Sequence, residues 1–363
     1  MFSDLPKLFD RDFVIGYFVP VVLFLSGTLG LLAAFDLLQY IVNLLPPGLK
    51  LDIVLGTTLF GVTSWLGAVF LLAINHDVIR LLEGYGRLNP AQFLVGRQRQ
   101  RYKKMDVKKE QLRQQRREYK ARGESFPRAQ QLLLNRTWET LVESFPDEEK
   151  ILPTTFGNLV RAFEAYPRLM YGLDAIPSWG RLLAVVPKDY REIINSAKAE
   201  TDFWVNLVVL SAALGVEYVG LAWYRLDLRV WWVPAAALLI SVIAHWRARS
   251  AVTGWGELVK SAYDVFLPEL RKKLSFTPSA DAASESEMWK RFSEATIYRL
   301  PNRLPARSEA EQQAEKQDAP RRNRMLLLYD GEKSTILLVS NKQPDLSVTE
   351  INSTTAAEKE QNT

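Results

Sequence analysis

The sequence predicts an all-α integral membrane protein with four transmembrane helices, helical cytoplasmic extensions, a cytoplasmic helical domain and a small C-terminal β-hairpin. Three observations carry this expectation. Several runs of about twenty residues hold almost no charge. Aromatic residues gather at their ends. Lys and Arg accumulate on one side of them.

Phe13 to Phe35 is 23 residues without a charge. As a helix it would rise ~34 Å, more than a ~30 Å hydrocarbon core. Ile53 to Ile74 is a second uncharged run, of 22 residues. Phe203 to Tyr224 is a third, interrupted by one charge, Glu217. Val230 to Trp246 is the fourth and shortest, 17 residues, at the lower limit for a span. Trp204 and Trp223 bracket the third run, and Trp231, Trp232 and Trp246 the fourth, as headgroup anchors do. The first run is too long for a signal-peptide core and no small-residue cleavage site follows it, so it reads as an anchor that stays.

Orientation follows from the positive-inside bias. Arg80, Arg87, Arg97, Arg99 and Arg101 follow the second run; Lys188, Arg191 and Lys198 precede the third; Arg247, Arg249 and Lys260 follow the fourth. Residues 36–52 hold one Lys and no Arg. The arrangement that satisfies these biases puts both termini in the cytoplasm, in the plasma (cytoplasmic) membrane, with short outer loops.

Five regions result. Residues 1–74 hold an N-terminal flank and two spans. Residues 75–202 form the cytoplasmic helical domain, residues 203–246 the third and fourth spans, and residues 247–304 cytoplasmic amphipathic helices. Residues 305–363 form a charged linker, a hairpin over 325–339 marked by Asp330-Gly331, and a disordered tail. Within the domain, Gly84 and Gly86 break the extension of the second span. Residues 97–128 form a basic helix with 13 Lys or Arg against four carboxylates, ended by Gly123 and Pro127. Thr154 or Thr155 caps a helix over 156–166. Residues 167–187, divided by Pro167, Pro177 and Pro187, read equally as a segment lying on the inner leaflet or as a loop packed in the domain core.

Composition excludes much chemistry. The chain has no cysteine and two histidines, His76 and His245. Disulfides, thiol nucleophiles and cysteine- or histidine-rich metal sites are therefore ruled out within one chain. No phosphate-binding loop, H-E-x-x-H, G-x-S-x-G or dinucleotide fingerprint occurs, so neither an enzyme activity nor a cofactor is expected.

The remaining chemistry-bearing residues form three groups. Glu217 is an ionisable group inside a span, where it lines a pore or is answered by a neighbouring helix. Asp36 and Asp52 would join it at an acidic outer mouth. His76 and His245 stand at inner span ends, as a pH-sensing pair or as hydrogen-bonded caps. Arg97, Arg99, Arg101, Lys103, Lys104, Lys108, Lys109, Arg113, Arg116 and Arg117 are either a solvated positive-inside face or a surface for anionic inner-leaflet lipids. Only Tyr102 and Tyr119 interleave with them, which argues against nucleic acid.

In layout the chain resembles bestrophin-type channels: four spans, long helices reaching inside, and a large segment between the second and third spans. No bestrophin motif accompanies that layout, so the likeness assigns no functional residue. The expected role is a non-enzymatic membrane-anchored sensor, scaffold or effector that engages a protein partner or a second copy through its cytoplasmic domain. The alternative is a homo-oligomeric ion channel or pore.

Overall fold

A computed structural model describes residues 10–43, 53–86, 89–306, 324–330 and 333–339. The chain forms two compact units, Met1–Leu270 with Asp281–Leu304, and Arg271–Ala280 with Pro305–Thr363. Among its described residues the regular elements of the first unit are helices. Its helices are α1 (Arg11–Ala34), α2 (Leu38–Asn43), α3 (Ile53–Glu83), α4 (Val95–Ala121), α5 (Arg128–Ser144), α6 (Thr155–Tyr171), α7 (Ala175–Leu183), α8 (Lys188–Arg225), α9 (Val233–Lys273) and α10 (Ala282–Ile297). Helix α9 runs on into the second unit. In that unit β1 (Arg324–Asp330) and β2 (Lys333–Val339) lie antiparallel, Arg324 opposite Val339 and Asp330 opposite Lys333. Gly331 and the tail from 341 on lie outside the described residues.

Three helices, α1, α3 and α8, are long and apolar enough to cross a membrane. Only 28 %, 17 % and 28 % of their most apolar stretches is buried inside the molecule. Helices of a water-soluble core would be covered by protein; these leave Leu23, Leu66 and Val216 exposed, and lipid is the solvent that suits them.

The fourth run differs from its expectation. Val230 adopts φ +49°, and Val230 to Trp232 belong to the turn rather than to the helix. From Val233 to Trp246 only 14 helical residues precede Arg247, a rise of ~21 Å. The helix nonetheless continues unbroken for 41 residues. It returns along α8 as an antiparallel hairpin. Ser241 Oγ donates to the Val208 carbonyl (3.3 Å), the Arg247 guanidinium stands 5.3 Å from the Trp204 ring, and Tyr190 OH donates to the Leu258 carbonyl (3.3 Å).

Contacts also fix the sense of the other helices. Asp12 meets Ser196, Tyr17 meets Asp202, and Thr28 meets Glu217, so α1 and α8 run parallel. Helix α3 runs against them, with Gly67 beside Val21 and Asn75 beside Asp202.

Helix α3 continues past Ile74 and ends where Gly84 takes φ +95°. There α6 docks end-on. Thr154 Oγ accepts from the Gly157 amide (2.9 Å) as an N-cap, and its hydroxyl donates to the Leu82 carbonyl (2.7 Å). Gly157 is required by close approach, since a Cβ there would stand 2.8 Å from the Glu83 Cα.

One expectation is corrected here. Helix α6 does not stop at Pro167. It runs through that proline to Tyr171 and ends at Gly172, φ +75°. Residues 247–304, expected as amphipathic helices, include α10, capped by Asp281 on the Ser284 amide (2.7 Å). Trp289 is fully buried. Leu173, Leu182 and Ser178 are fully buried too, and Ser178 hydrogen-bonds Tyr263 (3.0 Å). The 167–187 segment thus packs into the domain while leaving Leu169, Met170 and Ile176 exposed.

The close approach at Gly157 is testable. Gly157→Ala should destabilise the protein by about 1–3 kcal/mol through overpacking. Gly254→Ala, where nothing stands within 4 Å, should be neutral or slightly stabilising. Thermal unfolding of the two variants in detergent checks the contrast.

Candidate functional site

A buried polar cluster joins the three long apolar helices at one end. Its centre is Asp202, on α8 one residue before the uncharged run begins, and only 2 % exposed. Three donors answer the carboxylate. Tyr17 OH of α1 donates to Oδ2 (2.7 Å), Asn75 Nδ2 of α3 donates to Oδ1 (3.2 Å), and Lys198 Nζ, one turn earlier on α8, donates to Oδ2 (2.6 Å). The Lys198 side chain is partly exposed, so its head reaches water while its partner does not.

Local sequence explains the neighbouring bond. Pro20 has no N–H, so the Gly16 carbonyl four residues earlier loses its helical donor. The helix widens to a π turn over Val14–Phe18. Asn206 Nδ2 of α8 donates to that Gly16 carbonyl (2.8 Å). A Cβ at Gly16 would stand in ordinary contact with α8, 3.4 Å from the Ala199 carbonyl oxygen.

Both amides are fixed in orientation, because each nitrogen faces an acceptor-only partner. Their oxygens, Asn75 Oδ1 and Asn206 Oδ1, are buried without a hydrogen-bond partner in the protein. The cluster holds a carboxylate, a phenol, an ammonium and two amides, with no nucleophile–base pair. Its chemistry is charge neutralisation and helix fastening.

The expected site residues are distributed elsewhere. Glu217 accepts a hydrogen bond from Thr28 Oγ of α1 (2.8 Å) and is half-buried. Asp36, beyond the far end of α1, pairs with Arg229 (2.5 Å), which also holds Asp227 (2.6 Å). Asp52 lies outside the described residues. His76 is exposed and His245 half-buried, and no hydrogen bond or ion pair joins them.

Of the ten basic residues, two turn inward. Lys109 and Arg113 stand 5.3 and 4.2 Å from the Trp138 ring and pair with Asp106 and Glu110. Lys103 pairs with Glu148. The other seven have no ion-pair partner among the described residues. Among those residues no group of three or more His, Asp or Glu is placed to hold a metal.

Tyr17, Asn75, Lys198, Asp202 and Asn206 were not singled out by the sequence reading. The available signal was position. Asn75 and Asp202 each flank an uncharged run by one residue, and Asn206 sits inside one.

No protein-family model matches the chain, and no curated protein or solved structure matches it.

A second titratable group sits where α3 meets α6, nine residues and ~14 Å beyond Ile74. Glu83 is buried, and burial together with the Glu164 carboxylate pushes its carboxyl up to about 7 against the opposing pull of Arg80 and Arg161. The folded value lies above the ordinary 4.5, so the fold prefers the protonated form. Its stabilising contribution is full below pH ~4.5 and is lost as pH rises through about 7. Melting temperature should therefore fall between pH 5 and pH 8, and Glu83→Gln should flatten that fall. An unchanged slope in the variant would place the pH dependence elsewhere.

Proposed function

We propose that the chain is a non-enzymatic, multi-pass membrane anchor whose working part is the helical domain outside the membrane, acting as a sensor, scaffold or effector. The observation that carries this reading is where polarity and open space lie. Inside the apolar runs, Glu217 is answered by Thr28 and the Gly16 carbonyl by Asn206; at their end Asp202 is answered by three donors. Four cavities lie in the helical domain, lined from within residues 94–179 and 253–263 and by Ile297. A conducting path would leave its charged groups facing an open lumen, whereas Glu217 and Asp202 are both hydrogen-bonded between helices.

Other features support a docking role. Leu169, Met170 and Ile176 are exposed on the domain, Ile176 to 85 %. Exposed apolar side chains grouped this way suit a protein partner or a second copy.

We take the fourth run as a span as well. Leu238, Leu239, Val242 and Ile243 are exposed along it, and a 14-residue apolar stretch fits a locally thinned bilayer with snorkelling Arg247. The Lys and Arg bias then puts both termini and the domain in the cytoplasm.

Purified protein in liposomes tests the reading. Wild type and Glu217→Gln should both pass no more ions than empty vesicles under voltage, pH and osmotic steps. In the same vesicles, single cysteines introduced into this cysteine-free chain at Leu228 and Asn302 should react with impermeant maleimide from opposite faces. Ion flux whose selectivity changes in Glu217→Gln would replace the anchor by a pore.

A further inference from the structure

We infer that the start of α4 carries a binding site for a phosphate group. The site is an open groove of about 730 Å³ lined by Leu94, Arg97, Gln98, Gln100, Arg101, Lys104, Met105 and Thr155. It goes beyond the anchor role and stands whether or not the chain conducts ions.

Helical spacing puts the cations together. Arg97, Arg101 and Lys104 stand at i, i+4 and i+7, on one face of the helix. All three are exposed, and none has an ion-pair partner among the described residues. On the same helix Lys103, Lys109 and Arg113 are each engaged by a carboxylate. Of the seven cations without an ion-pair partner among the described residues, Arg97, Arg101 and Lys104 line the groove.

The rest of the lining has matching polarity. No carboxylate lines the groove. Gln98 Nε2 donates to Thr155 Oγ (3.2 Å), so the Thr155 hydroxyl keeps its own proton for an acceptor. Arg101 is steadied by the Phe145 ring, 5.8 Å away. Two guanidiniums, an ammonium and a hydroxyl converging on one concavity suit an oxyanion with several acceptor oxygens, and a phosphate group answers that need.

Position brings the groove toward a membrane. Asn89 Nδ2 donates to the Leu81 carbonyl (2.8 Å), and Gln92 Nε2 donates to the Gly84 carbonyl (2.6 Å). These bonds hold the short turn Pro90–Leu94 against the end of α3, whose Leu81 lies seven residues, ~11 Å, past the apolar run. A Debye length of ~8–10 Å at cellular salt makes lipid headgroups one source of the phosphate. A soluble phosphate compound is the other.

The experiment uses full-length protein in neutral detergent, with an environment-sensitive dye on Gln100→Cys. Titrants are dioctanoyl phosphatidylglycerol, dioctanoyl phosphatidylcholine and inorganic pyrophosphate. A saturable response to phosphatidylglycerol alone identifies a lipid headgroup; one to pyrophosphate identifies a soluble ligand. Phosphatidylcholine should give none. In either case Arg97→Gln, Arg101→Gln and Lys104→Gln together should weaken the response about a hundredfold, at ~1 kcal/mol per cation. Arg116→Gln with Arg117→Gln, on the same helix outside the groove, should leave it within about twofold. Circular dichroism checks that the surface variants keep their helicity. A response untouched by the triple variant, one equally lost in the Arg116 and Arg117 variant, or no response to either phosphatidylglycerol or pyrophosphate, would overturn the site.

Discussion

A carboxylate buried among membrane helices must be answered by donors, and Asp202 takes one from each of the three long apolar helices. An unsatisfied polar group in a medium without water costs several kcal/mol, so the bonds from Tyr17 and Asn75 set the heights of α1 and α3 against α8, and Lys198 of α8 itself answers the remaining charge. Apolar faces alone would let these helices slide, because lipid tails cover Leu and Val as well as protein does. Once the heights are set, the Thr28–Glu217 bond falls in register further along the same pair.

The register is passed outward. With Asn75 held at Asp202, the end of α3 stands at a fixed distance, and Gly157 and Thr154 of α6 close on it without room for a Cβ. Helix α6 in turn packs on α9, where Phe163 meets Trp255 at 5.1 Å and fills the space left by Gly256. Polar fastening in the spans and tight backbone contact outside them thus form one connected chain. Glu83 sits at the joint between the two, which is why its protonation bears on stability there.

Much of this was legible in the sequence where a single helix decides the outcome. Three apolar runs, the glycine stops at Gly84 and Gly123, and the Thr154 cap needed no partner to be read. What escaped depends on which helices meet. Asp202 and Asn75 look like ordinary boundary residues until their helices are brought together. A proline at position 20 signals by itself no more than a kink, whereas its consequence is the freed Gly16 carbonyl that Asn206 occupies. The fourth run lost Trp231 and Trp232 to a turn with Val230 at positive φ, a conformation that nothing in a β-branched residue announces. Of the basic block, spacing gave the helix, but Trp138, far along the chain, decided that Lys109 and Arg113 turn inward.

The central claim is that Asp202 fastens α1 to α8 rather than merely tolerating its burial. A double-mutant cycle tests this directly: wild type, Tyr17→Phe, Asp202→Asn and the double variant, each unfolded reversibly in bicelles. The account predicts a coupling energy of about 0.6–1.7 kcal/mol, the range of interhelical hydrogen bonds in membranes, with the double variant less destabilised than the singles sum to. Strictly additive effects would mean that the bond does not hold the two helices together.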